Sequence, residues 1–190
     1  VGTGAVVPPT AVTATSKPGI IGTAQVGQTL TAQDGTWSTT PDSFTYRWFQ
    51  VGSKTPIGTG RTFVVPPGVV GWSLVVEVTP VKAGFTGVPA LSALTAPVVL
   101  GKLQVSGKPT LSGTAKVGKK LKVVLPTTSP AGATVKIQWL LGKQPIPGAT
   151  KKALKLNTKL YRGTKVRAVV VWTLPGYAPV TLRTAKVKIG

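Results

Sequence analysis

The chain repeats itself at an offset of 91 residues, and this repeat limits what it can fold into. Residues 17–30 and 108–121 agree at eight of fourteen positions. The same offset carries Trp48 onto Trp139, and an offset of 92 carries Gly84 onto Gly176. A match over that length indicates two copies of one structural unit. Each copy, of about 85–90 residues, has the size of one small β-sandwich.

Short runs of alternating apolar and polar side chains predict antiparallel strands within each copy. In the second copy, Ile137 and Trp139 alternate with Lys136 and Gln138. Clusters of glycine and proline separate such runs, as turns require. The last run is predicted to point three side chains inward and three outward, namely Ala185, Val187 and Ile189 against Thr184, Lys186 and Lys188.

The repeat and the composition divide the chain into three segments. Residues 1–16 carry no charge and are predicted to be a linker or a leading edge strand. Residues 17–100 form the first predicted domain, and residues 101–190 form the second. The sequence has neither an initiator methionine nor a signal peptide, so we expect it to be part of a longer precursor fused to other domains.

Four motifs recur in the same order in both copies. Each copy opens with Gly-Thr-Ala-x-Val-Gly-x-x-Leu, continues with Tyr46-x-Trp48 or Ile137-x-Trp139, has a Pro-Ile turn, and ends with a glycine followed by an aromatic residue. The pattern resembles the tandem immunoglobulin-like repeats of bacterial, notably actinobacterial, secreted and cell-surface proteins. The resemblance implies an all-β fold of two tandem immunoglobulin-like antiparallel β-sandwich domains. Modules of that family serve as spacers, adhesive units or appendages of exported enzymes, so the fold alone does not assign a function.

The formal charge of +20 is concentrated in the second copy. Residues 1–100 hold five basic and three acidic side chains, whereas residues 101–190 hold eighteen basic side chains and no acidic one. Such asymmetry indicates contact between the second domain and a polyanion. Fifteen of those eighteen residues are lysines. Because lysine makes point-charge contacts, we expect low selectivity and strong salt dependence.

The predicted strands place basic side chains on the outer faces of the second domain. In an immunoglobulin-like sandwich, strands C, F and G share one sheet, and strands A, B and E share the other. The candidate polyanion-binding residues, expected to cluster on the outer face of the first of these sheets, are Lys136, Lys165, Arg167, Lys186 and Lys188. Expected on the opposite outer face are Lys120, Lys122 and Lys155. The alternative is that these lysines only solubilise exposed sheets and protect edge strands, which leaves the absence of balancing acids unexplained.

The residues needed for common catalytic sites are missing. The sequence has no histidine and no cysteine, so it lacks the usual base and thiol nucleophile. Of the three carboxylates, Asp34 and Asp42 are predicted in turns and Glu77 at an outward strand position, all in structural roles. No phosphate-binding loop or dinucleotide motif occurs. These observations predict a protein that is not an enzyme and uses no cofactor or metal.

The five tryptophans fall into two groups. Trp48 and Trp139 are predicted to lie in the two cores, and Trp172 is predicted to be half-buried at the end of an inward series. Trp37 and Trp72 lie near loops and have no counterpart in the second copy, so they are the candidate surface aromatics that could stack on a sugar ring.

Together these features predict a non-catalytic spacer or anchor, secreted or on a cell surface. Its basic second domain is expected to bind an anionic cell-wall polymer or an acidic polysaccharide. One alternative is a carbohydrate-binding or accessory region of a secreted hydrolase. Another is a phage or nucleic-acid-associated structural protein, which the charge permits but the few outward aromatics of the second domain disfavour. No apolar run is long enough to span a membrane.

Overall fold

A computed structural model describes residues 10–157 and 161–190. Regular structure in these residues is mainly β-strand, with a 3-10 turn at Pro67–Val69. The chain divides into two compact units, residues 1–101 and residues 102–190, here called the first and second units. No helix in the described ranges has the length and apolarity needed to cross a membrane.

The first unit pairs its strands into two main sheets. The order in one is β3-β4-β8, and the order in the other is β11-β9-β6-β7. Two short pairings complete the unit, β1 with β10 and β2 with β5. The strands are β1 (Ala11–Val12), β2 (Ala14–Ser16), β3 (Gly19–Ile21), β4 (Thr29–Gln33), β5 (Thr36–Trp37), β6 (Ser43–Gln50), β7 (Gly58–Thr59), β8 (Thr62–Val64), β9 (Leu74–Val81), β10 (Thr86–Gly87) and β11 (Ala90–Leu91).

The second unit repeats this topology. One sheet has the order β14-β15-β19, and the other has the order β18-β17-β20-β22, with β23 also paired to β20. The short pairings are β12 with β21 and β13 with β16. The strands are β12 (Gly101–Lys102), β13 (Gln104–Val105), β14 (Thr110–Gly113), β15 (Lys120–Val124), β16 (Thr128–Ser129), β17 (Thr134–Leu141), β18 (Gln144–Pro145), β19 (Ala153–Lys155), β20 (Lys165–Thr173), β21 (Tyr177–Ala178), β22 (Val180–Arg183) and β23 (Val187–Lys188).

This strand order confirms the predicted fold class, two tandem immunoglobulin-like β-sandwiches. In each unit the three-stranded sheet contains the equivalents of strands A, B and E, and the larger sheet contains those of C, F and G. We call them the ABE sheet and the CFG sheet. The described part of residues 1–16 lies in the first sandwich as β1 and β2, and Val12 there is fully buried.

The two aligned tryptophans are the centres of the two cores, as predicted. Trp48 and Trp139 have no exposed surface. Each indole Nε1 donates a hydrogen bond of 2.9 Å to a backbone carbonyl twelve residues later, Gly60 in one unit and Lys151 in the other. A buried tryptophan needs such a partner for its N–H, so the repeat preserves both the ring and its acceptor.

Trp172 is more buried than its position in the sequence suggested. The prediction of a half-buried side chain is wrong, because only 1% of the residue is exposed. Strand β20 keeps its alternation to the end, and Trp172 lies between Val135 on β17 and Val180 on β22. The ring belongs to the core cluster of the second unit, against which Val180 also packs.

The last strand of each unit contains a one-residue bulge that the alternation did not predict. In the second unit Val169 pairs with Arg183 but Val166 pairs with Val187, so one extra residue lies between the two strand segments. Thr184 is buried and Ala185 is exposed, the reverse of the prediction for both. A bulge shifts the inward and outward alternation of side chains by one residue, which explains why Thr184 and Ala185 face the sides opposite to those predicted.

A side-chain hydroxyl holds each bulge. Thr184 Oγ1 accepts a hydrogen bond of 2.9 Å from the N–H of Ala168, and Ser92 Oγ accepts one of 3.1 Å from the N–H of Val76. The two hydroxyls are 92 residues apart, as are their two partners. The hydroxyl replaces the strand carbonyl that the bulge displaces, so the buried N–H keeps an acceptor.

Candidate anion-binding face of the second unit

The outer face of the CFG sheet in the second unit is lined mainly by cations. Strand β20 presents Lys165 and Arg167 on this face, alternating with the fully buried Val166 and Ala168. Lys188 on β23 pairs directly with Lys165. Side chains directly opposite in an antiparallel pair have Cβ atoms about 5 Å apart, so three of the five predicted residues form one cluster.

The other two predicted residues lie outside that cluster. Lys136 on β17 pairs with Val171, six residues along β20 from Lys165, which is a separation of roughly 20 Å. It is exposed on the same face but at its far end. Lys186 is exposed in the bulged segment between β22 and β23.

Arg183 belongs to the cluster and was missed by the sequence analysis. It pairs with Val169 on β20, which makes it the diagonal neighbour of Arg167, about 7–8 Å away. Continued backwards from Ala185, the predicted alternation places Arg183 on the inward side. The bulge at Thr184 reverses that assignment. We call the group of Lys165, Arg167, Arg183 and Lys188 the cationic face.

Arg167 occupies a special position on this face. It lies opposite Leu140, an outward residue that is only 8% exposed. The Nε atom of Arg167 is buried and has no hydrogen-bond partner within the described residues. A buried guanidinium N–H without an acceptor is energetically costly.

The same sheet face has different chemistry in the first unit. The residues equivalent to Arg167, Arg183 and Lys186 are apolar: Val75, Leu91 and Leu94. Together with Phe49 they line a groove of about 490 Å³. Leu91 and Leu94 are 52% and 59% exposed, so residues 10–101 leave both side chains largely uncovered. The two units therefore share a fold but present different outer surfaces.

Every carboxylate side chain of the sequence contacts a basic side chain of its own unit. Asp34 Oδ2 lies 3.1 Å from Arg61 Nη2, and Asp42 Oδ1 lies 3.8 Å from Lys82 Nζ. Glu77 accepts a hydrogen bond of 2.9 Å from Arg47 Nε. These three ion pairs all lie in the first unit. The eighteen basic residues of the second unit have no acidic side chain to balance their charge. Among the described residues no cluster of His, Cys, Asp and Glu could hold a metal ion.

Tyr46 adds a titratable contact to the first unit. Its hydroxyl donates a hydrogen bond of 2.7 Å to Asp34 Oδ1. Burial, and then the hydrogen bond to Asp34, raise the pKa of Tyr46 to about 12 from its ordinary 10.0. Because the pKa is higher in the folded state than in the unfolded state, the protonated hydroxyl stabilises the folded state fully below about pH 10. This stabilisation is lost as the pH rises from about 10 to about 12.

The substitution Tyr46→Phe tests this contact. The wild-type first unit is expected to lose more stability between about pH 10 and about pH 12 than the variant, because only the wild type must ionise a hydrogen-bonded phenol. Thermal unfolding across that range measures the difference. In an ultraviolet absorbance titration the variant should lack a component near pH 12; loss of a component near pH 10 instead would contradict the assignment.

The two candidate surface aromatics have different environments. Trp72 is 51% exposed, next to the 3-10 turn. Trp37 is half-buried: its ring lies 5.9 Å from that of Phe44, and its Nε1 donates to the Asp34 carbonyl. Of these two tryptophans, Trp72 presents the larger surface to solvent.

Comparison with known proteins gives similar folds at low identity. No family model and no curated protein matches the chain. A segment of two fibronectin type III domains from chicken tenascin is 13% identical with a TM-score of 0.41, and the match covers 90% of this chain and 99% of the segment. Three N-terminal domains of the highly immunogenic outer capsid protein of bacteriophage RB49 are 14% identical with a TM-score of 0.31, covering 91% of this chain and 58% of theirs.

A third similar structure is the FN1–FN3 region of chicken CNTN1, 13% identical with a TM-score of 0.30. That match covers 93% of this chain and 68% of the other. These likenesses concern fold alone. The strand pairing within each unit identifies the chain as a tandem of immunoglobulin-like β-sandwiches.

Proposed function

We propose that the chain is a non-catalytic module of an exported bacterial protein, secreted or on the cell surface. The first unit acts as a spacer, and the second binds an anionic polymer of the cell envelope. The observation that carries this proposal is the cationic face, whose four counterparts in the first unit, Ser73, Val75, Leu91 and Ala96, are all uncharged. The motifs shared with bacterial immunoglobulin-like repeats support the location, and the lack of histidine and cysteine supports a non-catalytic role.

The pairing of Lys165 with Lys188 supports binding over mere solubility. Like charges directly opposite in a sheet destabilise it. Solubility needs only that charges be exposed, and mixed signs would provide it with less repulsion. Concentrated charge of one sign is useful when an anion neutralises it, so the placement favours a bound polyanion.

The composition of the face indicates what kind of polyanion it accepts. Lys165 and Lys188 are exposed point charges, which attract a phosphate or a carboxylate without selecting its geometry. Arg167 and Arg183 add planar donors that can hold one anionic group with two hydrogen bonds. A linear polymer with closely spaced phosphates or carboxylates, such as a teichoic acid or an acidic polysaccharide, meets both requirements.

The substitution Lys188→Gln tests the proposal through two opposite effects. It removes a repulsive pair, so the second unit should become more stable by about 0.2–1 kcal/mol. It also removes one contact near an anionic surface, so binding to immobilised poly(glycerol phosphate) should weaken about fivefold. Thermal unfolding and low-salt binding measure the two effects.

The matched control for this test is Lys54→Gln. Lys54 is exposed in the first unit and forms no ion pair within the described residues, so the control removes the same charge. It should leave both quantities nearly unchanged. If the two variants weaken binding equally, the cationic face has no specific role; if wild type fails to bind at low salt, the proposal is wrong.

The exposed Trp72 keeps a second candidate function open, binding to neutral carbohydrate. Stacking on a sugar ring does not depend on ionic strength, unlike contact with a polyanion. Retention on a neutral polysaccharide that survives high salt and is lost in Trp72→Ala would favour this function. Nucleic acid is a further polyanion to include in the binding assay, and preference for it over poly(glycerol phosphate) would redirect the proposal.

A further inference from the structure

The second unit carries another cluster of cations on its opposite outer face. Strand β15 presents Lys120 and Lys122 outward, alternating with the buried Leu121 and Val123. Lys155 on β19 pairs directly with Lys120 and is the diagonal neighbour of Lys122. All three lysines are exposed. We call this group the ABE lysine face.

The two faces are built in the same way. Each has two lysines directly opposite each other and a further cation at a diagonal position, Arg167 on one and Lys122 on the other. The first unit has no such pair on its ABE sheet, where the residues equivalent to Lys120 and Lys155 are Thr29 and Val64. The second unit thus accepts cross-strand repulsion on both of its sheets.

The faces cannot act as one continuous site. The outer surfaces of two packed sheets point in opposite directions, and the sheets themselves lie about 10 Å apart. With the side chains added, the two charge clusters are separated by more than the Debye length of about 8 Å at physiological ionic strength. A polymer strand lying along one face leaves the other free.

We propose that the second unit bridges two anionic polymer strands, one on the cationic face and one on the ABE lysine face. This inference rests on the proposed function, since it requires that the second unit bind a polyanion at all. A module that holds two strands cross-links an anionic polymer layer, whereas a module with one face only attaches to it. Each added link also raises the strength of attachment through multivalency.

The test compares full-length variants that lose three charges each. One removes three of the four charges of the cationic face (K165Q/R183Q/K188Q), and another removes the ABE lysine face (K120Q/K122Q/K155Q). A control removes three exposed lysines at other sites (K17Q/K54Q/K102Q). Each variant is mixed with long poly(glycerol phosphate) for light scattering, and with a short oligomer of it for sedimentation. Thermal unfolding verifies that each variant is folded.

Wild type and the control are expected to form large complexes, with scattering highest at an intermediate ratio of polymer to protein and lower in polymer excess. They should bind about two short oligomers per chain, and each face variant about one, without large complexes. Wild type that binds one oligomer and never cross-links overturns the bridging inference while leaving the proposed function intact. A face variant that still cross-links like wild type also overturns it. Failure of wild type to bind either probe overturns the proposed function itself.

Discussion

Replacing Trp139 with alanine is expected to remove a large part of the stability of the second unit. A buried Trp→Ala substitution typically costs about 3–5 kcal/mol, and a domain of this size has a total of only about 5–15 kcal/mol. The indole is fully buried in the core and also donates to the Lys151 carbonyl, which would lose that partner. Trp48→Ala should do the same to the first unit.

Calorimetry of the full chain measures this effect, with Trp72→Ala as the control. Trp72 is 51% exposed, so its loss should change the free energy of unfolding by no more than about 0.5 kcal/mol. We expect Trp139→Ala and Trp48→Ala to shift different parts of the unfolding profile. The assignment of the two cores is wrong if Trp139→Ala and Trp48→Ala shift the profile identically. It is also wrong if Trp72→Ala lowers the free energy of unfolding as much as they do.

Removing all four charges of the cationic face is expected to have the largest effect on binding. Each Lys or Arg near an anionic surface contributes about 1 kcal/mol, so adding K165Q/R167Q/R183Q/K188Q to a protein that already lacks the ABE lysine face (K120Q/K122Q/K155Q) should weaken binding of poly(glycerol phosphate) about 10²- to 10³-fold at low salt. Because the substitutions also remove cross-strand repulsion, the variant should stay folded.

The converse variant transfers charge to the first unit. Leu91 and Leu94 are equivalent to Arg183 and Lys186 and are more than half exposed, so Leu91→Arg and Leu94→Lys should be tolerated. Together they should strengthen polymer binding severalfold. The conservative pair Leu91→Gln and Leu94→Gln separates the effect of charge from the loss of the apolar groove. Equal gains in both pairs would contradict a role for charge.

The architecture was predictable because two independent signals agree. The repeat that aligns Trp48 with Trp139 defines the length and number of the structural units. The alternation around each tryptophan indicates which side of its strand faces the core. Those signals depend only on local spacing, and the structure confirms the fold they predict. Burial of Trp172 also depends on strands packed on both sides, which local spacing does not report.

The membership of the cationic face was less predictable, for two physical reasons. The bulge at Thr184 depends on a hydroxyl that replaces a strand carbonyl, and a threonine inside a strand run has no sequence signature of that role. Arg183 was therefore missed. The position of Lys136 depends on the register between β17 and β20, which sets it opposite Val171 rather than near Lys165. Alternation predicts the face of a sheet but not the distance along it.

The salt dependence of polymer binding tests the central claim most directly. The observed binding constant for poly(glycerol phosphate) is measured for wild type and for K165Q/R167Q/R183Q/K188Q over a range of salt concentrations. Counterion release contributes about 0.7 to the slope of log K against log salt for each charge on a flexible strand, so the slope should be steep in wild type and shallower in the variant, which keeps only the three charges of the ABE lysine face. A slope near zero in wild type, or the same slope in both proteins, would contradict binding through the cationic face.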